Sequence, residues 1–143
     1  MSTFRAFRIS ASGLTAERLR MDTIANNLAN AETTRTPEGG PYRRQVPVFA
    51  PLLEGAMRPG FSRTGQAGQG VRVVGIISDD SEPRLVYDPQ HPDANGDGYV
   101  AMPNVNVVRE MVDLVSATRA YEANITALNA AKQMAQRALE IGR

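Results

Sequence analysis

The sequence predicts a mainly α fold with a small β insert, in which long N- and C-terminal helices pack as a coiled coil with short strands and loops between them. Three observations lead there. Apolar residues recur at helical spacing at both ends of the chain, glycine and proline crowd the segment after the first periodic stretch, and two short β-branched runs follow that segment. The expected organisation is an N-terminal helix in 1–33, a loop and small β domain in 34–103, and a C-terminal helix in 104–143.

From about Thr3 to Asn30, Phe7, Leu14, Met21 and Leu28 recur every seven positions, with Ala11, Ile24, Ala25 and Ala31 alongside them. This is the stripe of an amphipathic helix, and Glu17, Arg20 and Asn27 mark its other side. Gly13 is the only weak helix former that breaks the run. Near the other end, Val107, Met111, Leu114, Thr118, Tyr121, Ile125, Leu128, Lys132, Ala135 and Leu139 alternate by four and three, the spacing of a coiled-coil seam. Asn104 or Asn106 is expected to cap this helix, and Gly142 with Arg143 to close it.

The second helix has more than one apolar side, because Val108, Val112, Val115, Ala120, Ala127, Ala131 and Met134 fall off that seam. Such a helix needs several neighbours, more than one short chain supplies, so other subunits are expected to provide the rest. The packing expected is Leu14, Met21, Ile24 and Leu28 against Met111, Leu114, Tyr121, Ile125 and Leu128. Arg109 with Asp113, and Arg119 with Glu122, are expected only to decorate helix faces, at a few tenths of a kcal/mol each. Closing the roughly 70-residue connection costs about 4 kcal/mol by the logarithmic loop estimate. Burying a large aliphatic side chain returns about 1.5–3 kcal/mol. Two or three seam residues offset closure, but not the ordering of the helices themselves, which again points to neighbouring subunits.

Between the helices, Pro37, Gly39, Gly40, Pro41, Pro47, Pro51, Gly55, Pro59 and Gly60 argue against long regular elements up to about Gly70, leaving short strands or ordered loops. Clearer strands are Val71 to Ser78 and Arg84 to Asp88.

Composition narrows function. A net charge of +1 without a basic block gives no footprint for nucleic acid. The absence of cysteine removes disulfides, thiolate metal sites and cysteine nucleophiles. Arg5, Arg8, Glu17, Arg18 and Arg20 interrupt any signal-peptide core, and no apolar run approaches a membrane span. The expectation is a chain that does not insert directly in a membrane and stays in the cytoplasm or is exported without a cleaved signal.

The chemical motifs are incomplete. Asp93, Asn95, Asp97 and Gly98 match the first half of a calcium-binding EF-hand loop, but Asn104 stands where the bidentate glutamate belongs, and Pro89 and Pro92 oppose an entering helix. A glycine-rich turn is the better reading. Gly65 to Gly70 lacks the lysine and hydroxyl of a phosphate loop. His91 is the only histidine and lies between two prolines; Asn124-Ile125-Thr126 has the glycosylation triplet, but within a predicted helix. Asp79, Asp80 and Glu82 read as a solvated turn. No catalytic residue, metal site or cofactor is expected.

Ile24-Ala25-Asn26-Asn27-Leu28-Ala29-Asn30-Ala31-Glu32-Thr33 closely resembles the asparagine-rich signature near the N terminus of the flagellar rod, hook and hook-associated axial proteins. Asn26, Asn27 and Asn30 are its amide-bearing positions. Further stretches are similar to the proximal rod members of that family: Tyr87-Asp88-Pro89 through His91-Pro92-Asp93-Ala94, Gly98-Tyr99-Val100 leading to Met102-Pro103-Asn104-Val105, Glu110-Met111-Val112, and Arg119-Ala120-Tyr121-Glu122-Ala123-Asn124. The spacer from Arg35 to Gly40 before Pro41-Tyr42-Arg43-Arg44, and the short middle region, separate it from hook and distal rod relatives. The resemblance implies a structural rod subunit whose terminal helices form the inner layer of a tube. It also implies other rod proteins and copies of itself as partners, passage through the flagellar type III export apparatus without a cleaved signal, a place in the rod across the periplasm, and no cofactor. The readings kept beside it are a cytoplasmic coiled-coil adaptor with a β insert and, further behind, a calcium-binding module.

Overall fold

A computed structural model describes residues 3–52 and 69–141. In chain order its elements are α1 (Thr3–Ala29), β1 (Gln45–Pro51), β2 (Val71–Ser78), β3 (Arg84–Tyr87), β4 (Tyr99–Met102) and α2 (Val107–Ile141). Most of the Gly65 to Gly70 connector, and the Gly142-Arg143 helix stop, lie outside the described residues.

The helix ends follow from asparagine chemistry. At the end of α1, Asn30 donates through Nδ2 to the Asn26 carbonyl at 2.9 Å and through its backbone N–H to the same carbonyl at 3.1 Å, satisfying a group the last turn leaves open. At the start of α2, Asn106 Oδ1 accepts the Arg109 N–H at 3.1 Å while its carbonyl accepts the Glu110 N–H at 2.9 Å. Of the two expected caps, Asn106 fills the role and Asn104 serves elsewhere.

α1 and α2 run antiparallel. Asn27 meets Glu110 at one end, Met21 meets Thr118 further along, and Gly13 faces Asn124 beyond that. On α2 one buried or half-buried row is formed by Glu110, Leu114, Ala117, Tyr121, Asn124, Leu128, Ala131 and Ala135, beside which Asp113 and Ala120 are also half-buried. This row keeps the four-and-three spacing and shares Leu114, Tyr121, Leu128 and Ala135 with the expected seam. Its other members lie one residue before Met111, Thr118, Ile125 and Lys132, which are exposed. One residue is about 100° around a helix. The shift follows the small side chains: Ala117 and Ala131 are buried, and at Gly13 a Cβ would stand 3.0 Å from Asn124 Oδ1. The weak helix former in α1 therefore lies against the Asn124 side chain of α2.

The β residues form two separate antiparallel ribbons. β1 pairs with β2 from Gln45↔Ser78 to Pro51↔Val71, with an irregularity between Val48 and Phe49. Pro47 and Pro51 fit because each strand of a two-stranded ribbon is an edge that can leave an N–H site unused. This ribbon packs on α1. The Val71 N–H donates to Ser12 Oγ at 3.1 Å, and Gly70, at φ +122°, passes so close to Ser12 that a Cβ would collide with its hydroxyl. β3 pairs with β4 from Arg84↔Met102 to Tyr87↔Tyr99. In the connecting turn Asn95 Oδ1 accepts the N–H groups of Asp97 and Tyr99, and Gly98 takes a φ of +81°. Thus the half-motif around Asp93–Gly98 closes a hairpin through asparagine.

The buried apolar set is thin and dominated by small residues: Ala16, Ile24, Ala31, Val100, Val105, Ala117 and Ala131. Among the described residues no helix is long and apolar enough to cross a membrane.

Candidate functional site

The best-ordered chemistry lies where α1 ends, α2 begins and β1 leaves the loop between them. Asn27, 1 % exposed, uses its whole amide. Nδ2 donates to the Gln45 carbonyl at 2.9 Å and to Glu110 Oε2 at 3.1 Å, while Oδ1 accepts from the Gln45 N–H at 2.9 Å and the Tyr42 hydroxyl at 2.9 Å. That is the full complement of two donated and two accepted bonds. One side chain thereby joins both helices to the first strand.

Glu110 is fully buried, and its other oxygen accepts from Arg44 Nε at 2.6 Å. A buried carboxylate requires such pairing, because leaving it without partners costs several kcal/mol. Arg44 also lies 3.9 Å from Asp113 and 4.0 Å from Asp79, and Arg20 of α1 lies 3.9 Å from Asp113. Asp113 thus faces cations on other elements, where sequence spacing had matched it with Arg109 on its own helix. The Arg44 N–H donates to Asn104 Oδ1 at 2.8 Å, and Asn104 Nδ2 donates to the Asp79 carbonyl at 3.0 Å and Ser81 Oγ at 2.8 Å.

Electrostatics follow the geometry. Burial, and secondly the Glu110 carboxylate, raises the Tyr42 phenol above its ordinary pKa. The Ser81 backbone N–H, followed by its side chain, holds the Asp79 carboxyl below the usual range. The cluster is a clamp: its donors and acceptors are spent on one another, and what it does is hold three segments at fixed angles.

Asn26 and Asn30 flank the clamp. Asn26 Nδ2 donates to the Tyr42 hydroxyl at 3.2 Å and Asn30 Nδ2 to Asn26 Oδ1 at 3.1 Å, while Asn30 Oδ1 accepts from Thr33 Oγ1 at 3.2 Å. Of the apolar residues singled out by spacing, Ile24 is buried and Leu14, Met21, Leu28, Leu114, Tyr121 and Leu128 are half-buried. Met111 and Ile125 are exposed, at 54 and 37 %. Met111 joins Val108, Val112 and Val115 in an exposed stripe along the outer side of α2.

Sequence reasoning did not single out Tyr42, Arg44, Gln45, Asn104 or Glu110 as site residues. Glu110 carried a signal, as a lone carboxylate between Val107-Val108 and Met111-Val112. The others are ordinary polar residues whose meaning depends on distant partners. The remaining polar motifs serve local structure: the Asp93 carboxylate accepts from Thr34 Oγ1 at 2.8 Å and Arg35 at 2.7 Å, Asp80 pairs with Arg43 at 2.9 Å, and Asn124 donates to the Ala120 carbonyl of its own helix at 3.0 Å.

Residues 7–35 match the family described as "Flagella basal body rod protein", and residues 97–141 match "Flagellar basal body rod FlgEFG protein C-terminal". Along nearly its whole length the chain is similar to proteins named flagellar basal-body rod protein FlgC. It is 51 % identical to that of Borreliella burgdorferi, with 99 % of this chain and 98 % of the relative covered. It is 50 % identical to that of Bacillus subtilis, with both chains covered completely, and 42 % to that of Salmonella typhimurium, with 99 % of each covered.

Proposed function

This chain belongs to the FlgC family of flagellar basal-body rod proteins, and from that membership we propose that it occupies the proximal rod and assembles there as a coiled coil with neighbouring axial helices. It is a structural subunit of the rod, not an enzyme, and it assembles with other basal-body components.

The observation that carries the assembly reading is the stripe of Val108, Met111, Val112 and Val115, between 54 and 71 % exposed on a helix whose other side is already taken by α1. An apolar stripe of that spacing is the face a helix offers to a partner helix. The division 1–33, 34–103 and 104–143 then reads as two axial helices and an outer β region. Leu14, Met21, Ile24, Leu28, Leu114, Tyr121 and Leu128 serve packing near the chain's own seam, with Met111 and Ile125 turned to neighbours. Asn26, Asn27 and Asn30 set the angle between helices and strand. Partners on this reading include copies of this chain and other rod proteins. The route to the periplasm-spanning rod is the flagellar type III apparatus, without a cleaved signal.

The test is deletion of the gene in its flagellated host, complementation with the intact gene, and electron microscopy of basal bodies. A missing rod restored by complementation is expected. Normal rods and normal motility would instead favour a cytoplasmic adaptor.

A further inference from the structure

Each helix of the pair has a second face, on the far side from the seam they share. On α1, Gly13, Arg20 and Asn27 meet α2. Two positions on from each, about 200° around the helix, Thr15, Asp22 and Ala29 are exposed, with Arg18 and Ala25 exposed between them. On α2, Glu110 and Asn124 meet α1 and Ala117 lies buried between them. Two positions on from these, Val112, Arg119 and Thr126 are exposed, with Val115 and Glu122 between them. The α2 face is apolar at its start, Val112 and Val115 being 65 and 55 % exposed, and charged further along. The α1 face carries its charges in the middle and alanines towards its end. Among the described residues the side chains of Arg18, Asp22, Arg119 and Glu122 form no ion pair, although each face holds one charge of each sign within four positions.

We infer that the outer face of α2 receives the outer face of α1 from a second copy of this chain, the two helices antiparallel and Arg18 set beside Glu122. The inference rests on the rod-subunit reading and names the surfaces that join its copies. In that register Asp22 comes beside Arg119, Ala25 beside Val115 and Ala29 beside Val112. Both charge pairs are then opposite in sign, and the valines meet small side chains that let the helices approach. Burying the valines supplies affinity, while the exposed ion pairs add little energy and fix the register. Other pairings of these faces match less well. An antiparallel α2 on a second α2 also opposes Arg119 and Glu122, but sets Val112 against Asn129 and Val108 against Gln133. An antiparallel α1 on a second α1 opposes Arg18 and Asp22 but leaves the valines uncovered. A parallel α1 with Arg18 beside Glu122 sets Asp22 beside Thr126, losing the second charge pair. Because α1 and α2 are antiparallel within the chain, a neighbour's α1 antiparallel to α2 runs parallel to the chain's own α1, so successive copies point the same way. The two faces differ and lie on opposite sides of the helix pair, so the contact is heterologous and repeats from copy to copy.

The chain contains no cysteine, so a pair can be introduced without background. Thr15→Cys and Thr126→Cys, exposed positions that oppose one another in the inferred register, are combined in the full chain, expressed in a deletion host and oxidised in purified basal bodies. Within one chain they lie on opposite outer sides of helices about 8–10 Å apart, beyond the roughly 7 Å between Cα atoms that a disulfide spans. Disulfide-linked dimers and higher multiples of this chain are expected from the double variant and from neither single one. Thr15→Cys with Gln133→Cys, roughly 10 Å out of register, should give none. No link from a double variant present in basal bodies, or a link from either single variant to its own kind or to another rod protein, would overturn the inference while leaving the rod assignment intact. Should the cysteine pair keep the chain out of basal bodies, charge exchange decides. Asp22→Arg and Arg119→Asp are each expected to lower the amount of this chain in basal bodies about two- to fivefold and together to restore it. Single variants without effect, or a combination that restores nothing, would also overturn the inference. Absence of the intact chain from basal bodies would overturn the rod assignment with it.

Discussion

Asn27→Asp isolates the clamp's electrostatics because the two side chains have nearly the same shape. Asn27 Nδ2 lies 3.1 Å from Glu110 Oε2 at a fully buried site, so the substitution replaces a donated hydrogen bond by a carboxylate facing a carboxylate. At that spacing and an effective dielectric constant of 20, the repulsion is about 5 kcal/mol. Proton uptake limits the penalty. The introduced carboxyl has its folded pKa raised far above an ordinary unfolded value of about 3.9, and at about 1.4 kcal/mol per unit the loss at pH 7 is capped near 4 kcal/mol. A raised folded pKa means that stability is retained below the unfolded value and lost as pH rises through the folded one. The variant should therefore lose only about 1–3 kcal/mol near pH 4, where a protonated Asp supplies one of the two hydrogen bonds that Asn27 donates, and be more strongly destabilised by pH 8. Urea unfolding followed by circular dichroism at 222 nm, in trimethylamine N-oxide to strengthen burial, measures this. A destabilisation equal at pH 4 and pH 8 would refute the charge argument, and no effect at pH 8 would refute the clamp.

Ala117→Leu forces a larger side chain into a fully buried position between the helices and should cost about 1–3 kcal/mol, with loss of swimming; a thermal melt within error of native would contradict the seam. Gly70→Ala combines a backbone φ of +122° with a collision at Ser12, and a loss of about 1–3 kcal/mol in urea titrations is expected, together with faster exchange of the Val71 amide. Val112→Asp, on the outer face of α2, should change the stability of the isolated chain by less than about 0.5 kcal/mol yet prevent rod assembly; basal bodies of normal number would remove that face from the interface. Because the folded pKa of Tyr42 is raised, its contribution is present below pH 10 and lost as pH rises through the folded value, so alkaline destabilisation should shrink in Tyr42→Phe, which at neutral pH costs about 1 kcal/mol in hydrogen bonding.

The glycine-rich turn at Asn95–Gly98 and the capping role of Asn106 were readable locally, since each depends on a side chain bonding backbone within four residues. β1 was harder to read, because Pro47 and Pro51 argue against a strand unless it is known to be an edge. β4 escaped notice for another reason: four residues, Tyr99–Met102, leave little periodicity to detect.

The two long helices and the strands at Val71–Ser78 and Arg84–Tyr87 were determined by the sequence alone, because their hydrophobic periods are properties of contiguous residues. Which side of α2 meets α1 was decided only by tertiary structure. Met111, Thr118, Ile125 and Lys132 share nearly the same spacing as Glu110, Ala117, Asn124 and Ala131, and periodicity ranks the first row higher for its bulkier apolar members. Packing of the Asn124 side chain against Gly13 and burial of Ala117 and Ala131 instead favour the small residues, and a buried carboxylate becomes acceptable at Glu110 because Arg44 and Asn27, 66 and 83 positions away in sequence, arrive to neutralise and hydrogen-bond it. Interactions over such separations leave no periodic trace in the chain; they exist only once it has folded.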